Sequence, residues 1–289
     1  MRVFSQHRNG FVESMLSRHV TVIDSTEASL LSKLGLAWQS RELLTHMVKR
    51  DLNGRYRPAS LGRAWIFLRP ALEILTYVVV FGFILGVRTT EMPYALFLCS
   101  GLVPWLFINQ TIGGAADSLA SARHVMSKVS FPRLIVPLSN LSLALIDFLV
   151  LFAIVLVLVV AYQLSVGPAI LALPFFIIMM VALAFGMSLL IATWSVSHPD
   201  VTIGVPVALR VMMYLSPIVY PPSFVPTAFR PFFDLNPVAV IVSGIRWSIG
   251  GTAAPSAMSI VFAAVFVTVV LIAGLVAFVR AERRMIDFL

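Results

Sequence analysis

Six apolar stretches follow one another along most of this chain, with short polar segments between them. They lie near residues 70–88, 94–115, 134–162, 168–196, 201–220 and 256–280. Each reaches or comes close to the roughly 20 residues that a helix needs to cross the hydrocarbon core of a bilayer. The pattern therefore predicts an all-α polytopic membrane protein with six transmembrane helices.

The chain before the first stretch divides into two parts. Residues 1–37 are polar and weakly periodic, which predicts a cytoplasmic extension, and residues 38–289 form one transmembrane domain. From Trp38 to Leu52, apolar residues recur at helical spacing, with Leu43, Leu44 and Met47 among them. This pattern predicts an amphipathic helix on the inner membrane surface, and the alternative is a helix that packs on the protein itself.

The segment between the fifth and sixth stretches is too apolar for a solvated loop and too rich in proline for a continuous span. Its longest apolar piece, PVAVIVSGIRWSI, has only about 13 residues and cannot cross the bilayer. We expect short re-entrant helices here, which enter the membrane from the outer side and return.

Composition and charge place these segments relative to the bilayer. The chain is 59% hydrophobic and 12% charged, with a formal net charge of +8. Seventeen of its 21 lysines and arginines fall before the first span, in the basic island SARHVMSKVSFPR (121–133) or at the C-terminus. The positive-inside rule then predicts a membrane protein with both termini and the island in the cytoplasm. Positive charge distributed in this way does not indicate nucleic-acid binding.

Enzyme and ATP-binding motifs are missing from the sequence. None of its three lysines stands in a Walker A loop, neither HExxH nor GxSxG occurs, and the five histidines lack the spacing of metal ligands. We therefore predict no catalytic residue, no metal site and no cofactor bound by this chain. A membrane transferase, the alternative from another class, would need a cluster of acidic residues or histidines at one membrane face, and the sequence has none.

Three ionisable residues lie inside predicted spans: Glu73, Asp147 and Arg210. A charge at the centre of a membrane helix costs about 2.5 to 3.5 kcal/mol on insertion scales, so each should face protein or water. Asp147 and Arg210 have opposite charges at similar depth, and we predict that they pair within the subunit. A structural pair is favoured over a proton relay, because a relay uses several titratable groups.

Aromatic residues extend this polar set along two helices. Tyr77 and Phe81 follow Glu73 at intervals of four residues, and Tyr214 follows Arg210 in the same way. Aromatic rings and hydrogen-bonding groups together suit a carbohydrate chain, so these six residues are predicted to line a transport path. The alternative is ordinary packing of membrane aromatics.

Several further stretches resemble one transporter family. They are RDLNGRYRPASLGRAWIFLRPALEI at 50–74, KVSFPRLIVPLSNL at 128–141, MYLSPIVYP at 213–221, LNPV at 235–238 and the closing ERRMIDFL. Together they resemble the membrane subunit of the ABC-2 type exporters of bacterial polysaccharides, which carry O-antigen, capsule, teichoic acid or galactan. The resemblance implies a homodimer in the bacterial inner membrane with two copies of a separate ATP-binding subunit, which holds ATP and magnesium. The implied cargo is a lipid-linked glycan, and the alternative is a small lipid or a drug.

The resemblance also assigns roles to residues. The basic island would carry a coupling helix that docks on the ATPase, beginning with a cap at Asp117 or Ser118 and including Ser121, Arg123, His124, Val125, Met126 and Lys128. Cytoplasmic contacts to the diphosphate of a lipid carrier, or to anionic lipid headgroups, would come from Arg50, Arg55, Tyr56, Arg57 and Arg63. An outer gate would include Arg230, Asp234 and Arg246.

Overall fold

All regular elements in the described part of the protein are helices. The computed structural model describes residues 39–56, 62–87, 91–126, 131–250 and 252–288, with residues 35 and 89; the side chains of residues 55, 56, 63, 66, 67, 120–126 and 283–288 lie outside this description. The helices are α1 (Arg41–Tyr56), α2 (Trp65–Tyr77), α3 (Tyr94–Met126), α4 (Ile135–Ala161), α5 (Leu173–Ser197), α6 (Val201–Leu215), α7 (Arg230–Asp234), α8 (Pro237–Ser248) and α9 (Ala257–Phe288). The all-α prediction is confirmed.

Within the described ranges, four helical stretches are long and apolar enough to cross a membrane. They are Tyr94–Leu119, Ile135–Ala161, Pro168–Ser197, which includes a 3₁₀ turn before α5, and Ala257–Glu282. These stretches match four of the six predicted spans and agree with a polytopic membrane protein.

The other two predicted spans coincide with shorter helices. The span at 70–88 falls on α2, whose 13 residues continue into a seven-residue π-helical segment, Val78–Ile84. The span at 201–220 falls on α6, which has 15 residues and ends at Leu215. It ends there because Ser216 adopts an extended conformation directly before Pro217.

The core of the bundle forms around α3 and α5. Helix α5 packs between α3 and α9, and α4 packs on another side of α3. The most apolar part of α3 is 78% buried, whereas the most apolar part of α9 is 22% buried. Helix α3 is therefore central in the bundle and α9 is peripheral. At the crossing of α5 and α9, Gly186 faces Gly274, and a Cβ atom at Gly186 would lie 2.7 Å from the Cα atom of Leu271.

Helix α1 confirms the helix predicted from Trp38 to Leu52, with its bounds shifted to Arg41–Tyr56. It packs against α4, with Met47 buried and Leu43 and Leu44 in contact with the core. This contact agrees with the alternative, a helix that packs on the protein itself, and the position of α1 on the membrane surface stays a prediction.

Helix α8 is the short helix expected in the proline-rich segment. It has 12 residues and begins where the side chain of Asn236 accepts hydrogen bonds from the backbone N–H groups of Val238 (3.0 Å) and Ala239 (3.4 Å). Pro237 at the first helical position suits this start, because its missing N–H needs no partner there. Contacts with α3, α5 and α9 bury α8 in the bundle.

Candidate functional site

A cavity of about 1020 Å³ lies among α2, α3, α4 and α6. It brings together five of the six residues predicted to line a path: Glu73, Tyr77, Asp147, Arg210 and Tyr214. The remaining lining residues, which the sequence analysis did not select, are Trp65, Arg69, Pro70, Trp105, Leu106, Asn109, Gln110, Gly113, Gly114, Asn140, Leu151, Pro206, Leu209 and Met213.

The wall formed by α3 and α4 is polar. The Nε2 atom of Gln110 donates a hydrogen bond to Asp147 Oδ2 (2.8 Å), and the Nδ2 atom of Asn140 donates to the carbonyl oxygen of Thr111 (2.9 Å). A Cβ atom at Gly114 would lie 2.6 Å from Asn140 Oδ1, so glycine at this position makes room for the amide. Amides inside apolar stretches were the sequence signal that could have revealed this wall.

The wall formed by α2 and α6 carries aromatic rings. Tyr77 lies 6.1 Å from Phe81 between ring centroids, and its hydroxyl contacts the sulfur of Met213 at 3.8 Å. Phe81 packs on Tyr77 without lining the cavity. Across the cavity, α3 adds the buried ring of Trp105.

This combination of side chains suits a ligand with hydroxyl groups and apolar faces. Amides donate hydrogen bonds to hydroxyls and accept them, carboxylates accept them, and aromatic rings cover C–H surfaces. Two arginines, Arg69 and Arg210, and two acids, Glu73 and Asp147, give the lining no formal net charge. The cavity is therefore suited to a polar, largely uncharged chain.

The pairing of Asp147 with Arg210 stays a prediction, since both line the cavity while Asp147 accepts a hydrogen bond from Gln110. We expect Asp147→Arg and Arg210→Asp each to lower the yield of folded protein, and the double exchange to restore it, because the paired charges would again compensate. Fluorescence-detected size-exclusion chromatography measures the yield. A double variant with a yield no better than that of either single variant would contradict the pairing. The variant Gln110→Leu tests whether Gln110 is the partner of Asp147 instead.

The basic island does not begin a separate helix. Helix α3 continues through Asp117 to Met126, and Ser118 Oγ donates to the carbonyl oxygen of Ala115 (2.9 Å), as a serine within a helix does. The predicted cap at Asp117 or Ser118 is therefore wrong, and Asp117 is an exposed residue of a continuous helix. Packing of α3 keeps Gly113 and Gly114 helical, although their sequence favours a break.

The structure describes the remaining residues of the island only in part. The backbone of Ser121, Arg123, His124, Val125 and Met126 forms the last turns of α3, while Lys128 lies outside the described residues. At the end of the island, Arg133 Nη1 donates to the backbone oxygen of Glu282 (2.7 Å), which ties this segment to α9.

The predicted cytoplasmic arginines lie at the end of α1 and after it. Arg50 is exposed and contacts Asp51 at 2.8 Å. Arg55 and Tyr56 end α1, Arg63 lies in a 3₁₀ turn before α2, and Arg57 falls outside the described residues. Arg69, one turn into α2, reaches the cavity and was missed from sequence.

The prediction for Arg246 as an outer contact to sugar is wrong, while Arg230 and Asp234 lie exposed on α7. Arg246 is 1% exposed, and its guanidinium donates to the carbonyl oxygens of Pro217 (2.8 Å), Phe97 (3.0 Å) and Ile218 (2.7 Å). Its Cζ atom also lies 3.6 Å from the ring centroid of Phe97. These contacts join α8 to α3 and to the turn after α6.

Comparisons with known proteins agree with one another. The family model described as "ABC-2 type transporter" matches residues 42–250. The O-antigen export system permease protein RfbA of Myxococcus xanthus is 28% identical over 211 residues, which are 72% of this chain and 80% of that protein. The protein of the same name from Klebsiella pneumoniae is 27% identical over 251 residues, 86% and 95% of the two chains. The polysialic acid transport protein KpsM of Escherichia coli is 22% identical over 242 residues, 82% and 92% of the two chains.

Proposed function

Because this chain belongs to the ABC-2 type transporter family, we propose that it is the permease subunit of an ATP-driven exporter of a lipid-linked polysaccharide. The single observation that carries the proposal is the cavity among α2, α3, α4 and α6, in which amides, acids, arginines and aromatic rings meet inside an apolar bundle. The relatives named for O-antigen and polysialic acid export support a glycan as cargo.

The proposed topology has six crossings with both termini in the cytoplasm. Helices α3, α4, α5 and α9 cross fully, while α2 with its π-helical segment and α6 form the first and fifth crossings. The distribution of lysine and arginine supports the orientation, because it places the basic island on the cytoplasmic side. Helix α8 is too short to cross and would be re-entrant, which its burial against α3, α5 and α9 makes tolerable.

A second copy of this chain would close the path. Apolar side chains beside the cavity are exposed on α2, as at Leu75 (56%), on the π-helical segment after it, as at Phe83 (88%), and on α6, as at Ile203 (72%) and Val207 (57%). Exposed apolar faces that flank a polar cavity suit contact with an identical subunit or with lipid. In the proposed homodimer, α2 and α6 of the two copies enclose the glycan between them.

Energy would come from a separate ATP-binding subunit in two copies, since the sequence carries no Walker A loop. The last turns of α3 offer a rigid lever for coupling, because this 33-residue helix runs without interruption from Tyr94 to Met126. A force that the ATP-binding subunit exerts on Arg123 and His124 would therefore be transmitted along one helix to Asn109 and Gln110 on the cavity wall.

The ends of the path are assigned to two groups of charged residues. Arg50, Arg55, Arg57 and Arg63 would attract the diphosphate of the lipid carrier or anionic headgroups, and Arg69 would continue this positive charge into the cavity. On the outer side, Arg230 and Asp234 are exposed and available to the emerging chain.

The proposal is tested by purifying the tagged chain with the product of the adjacent ATP-binding subunit gene. We expect a complex with two copies of each chain, whose ATP hydrolysis rises severalfold with lipid-linked glycan. A monomer that transports alone would overturn the proposal. Stimulation by the lipid carrier without its glycan would reassign the cargo to a small lipid.

Reversal of charge in the basic island should weaken binding of the ATP-binding subunit. We expect Arg123→Glu combined with Lys128→Glu to lower capture of the ATP-binding subunit at least tenfold, because two cations at the docking surface become anions. Arg230→Glu is the matched control from the opposite side and should leave capture unchanged. Equal capture by the island variant and the wild type would contradict coupling through this segment.

A further inference from the structure

A second cavity, away from the proposed path, forms a groove between α5 and α9. It has a volume of about 850 Å³, and its walls are mostly apolar, with Leu190 and Ile191 on α5 and Ala277 and Ala281 on α9. The groove continues from the crossing of Gly186 with Gly274, beyond which the small side chains of α9 leave space beside α5. Its apolar walls suit a hydrocarbon chain.

Polar groups are confined to one end of the groove. Among the residues whose side chains are described, Arg280 is the one charged residue that lines the groove, and it is exposed. Trp194 lines the same end with 62% of its surface exposed.

The helices around the groove indicate whether it faces lipid or water. Helices α5 and α9 are both long and apolar enough to cross a bilayer, and α9 is the least buried of the four such helices in the described chain. Its exposed side chains include the apolar residues Val261, Val265 and Val269. Tryptophan and arginine near the end of a span are typical of the membrane–water boundary. The groove therefore opens toward lipid.

We propose that this groove binds an anionic glycerophospholipid of the cytoplasmic leaflet. The phosphate lies on Arg280, and one acyl chain follows Ala277 and Leu190 along the groove. Charge complementarity selects an anionic lipid, because the described side chains of the groove offer one cation and no carboxylate. This site goes beyond the proposed transport function, which uses a different cavity.

Native mass spectrometry of the complex with its ATP-binding subunit tests the site. The complex is released from mixed micelles that contain equal amounts of phosphatidylglycerol and phosphatidylethanolamine with identical acyl chains. We expect wild-type protein to retain phosphatidylglycerol preferentially and Arg280→Gln to lower that preference about fivefold, as loss of one surface cation predicts. Arg41→Gln, which removes an exposed arginine outside the groove, is the matched control and should keep the preference.

A second variant tests the groove independently of charge. Ala277→Leu adds bulk to the groove wall and should lower retention of both lipids, without changing the preference between them. An unchanged preference in Arg280→Gln, or an equal loss in Arg41→Gln, would overturn the proposal. Retention of a protein chain instead of lipid at this surface would overturn it as well. None of these outcomes depends on transport of a glycan, so failure here is distinct from failure of the proposed function.

Discussion

Replacement of Arg246 by methionine is expected to lower the thermal midpoint of unfolding by roughly 10 °C. The guanidinium satisfies three carbonyl oxygens, those of Phe97, Pro217 and Ile218, in a site where the arginine is 1% exposed. The carbonyl oxygen of Phe97 keeps a hydrogen bond from the Ser100 hydroxyl (3.0 Å), whereas those of Pro217 and Ile218 lose the arginine as their donor. Each buried group left without a partner costs about 1 to 3 kcal/mol, so we expect the free energy of unfolding to fall by about 2 to 6 kcal/mol. For a chain of this size, about 1 kcal/mol corresponds to a change of roughly 2 to 4 °C.

Fluorescence-detected size-exclusion chromatography after heating measures this effect. Arg230→Met is the matched control, because Arg230 is exposed on α7 and its loss should change stability by less than about 0.5 kcal/mol. Gly101→Ala offers an independent test, since a Cβ atom there would overlap the Nη2 atom of Arg246 and lie 3.0 Å from Ile218 O. Equal midpoints for wild type and Arg246→Met would show that these three bonds do not hold α8 in place.

Replacement of Gly274 by alanine should destabilise the protein by at least about 2 kcal/mol. Its added Cβ atom would overlap the carbonyl oxygen of Gly186 and lie 3.2 Å from the Cα atom of that residue. Both obstacles are backbone atoms, so α5 and α9 must move apart and lose contact along the whole crossing.

Gly204→Ala is the control for this substitution. Gly204 lies within α6, and a Cβ atom there would have no neighbour within 4 Å. Alanine favours a helix over glycine by about 1 kcal/mol, so this variant should be neutral or slightly more stable. The thermal midpoints of the two variants should therefore shift in opposite directions or differ by several degrees. A small effect at both positions would mean that the crossing tolerates a wider separation than the structure has.

Several residues of the cavity could be predicted from the chemistry of residues along the chain. Glu73, Asp147 and Arg210 stand out because charge is rare in apolar stretches, and the structure places all three around one cavity. Gln110, which donates to Asp147, and Asn140, which donates to the carbonyl oxygen of Thr111, were missed, since a single amide in a span is a weaker signal than a charge.

Arg246 shows the opposite error. Its position in a segment between spans suggested an outer contact to sugar, but the segment folds back as α8 and buries it. Nothing local in the sequence identifies the three carbonyls that receive its hydrogen bonds, because they belong to residues 28, 29 and 149 positions away along the chain.

The sequence by itself determined which segments are helical and apolar, because the length of a span is set by the thickness of the bilayer and its composition by the hydrocarbon around it. It also determined that α8 is too short to cross and where α8 begins, since Asn236 and Pro237 act on the backbone next to them. Only the tertiary structure decided which faces meet: α1 on α4, Gly186 on Gly274, and the guanidinium of Arg246 on its carbonyls. Such contacts join residues far apart in the chain, and in an apolar solvent the fit of surfaces rather than their hydrophobicity selects among the possible pairings.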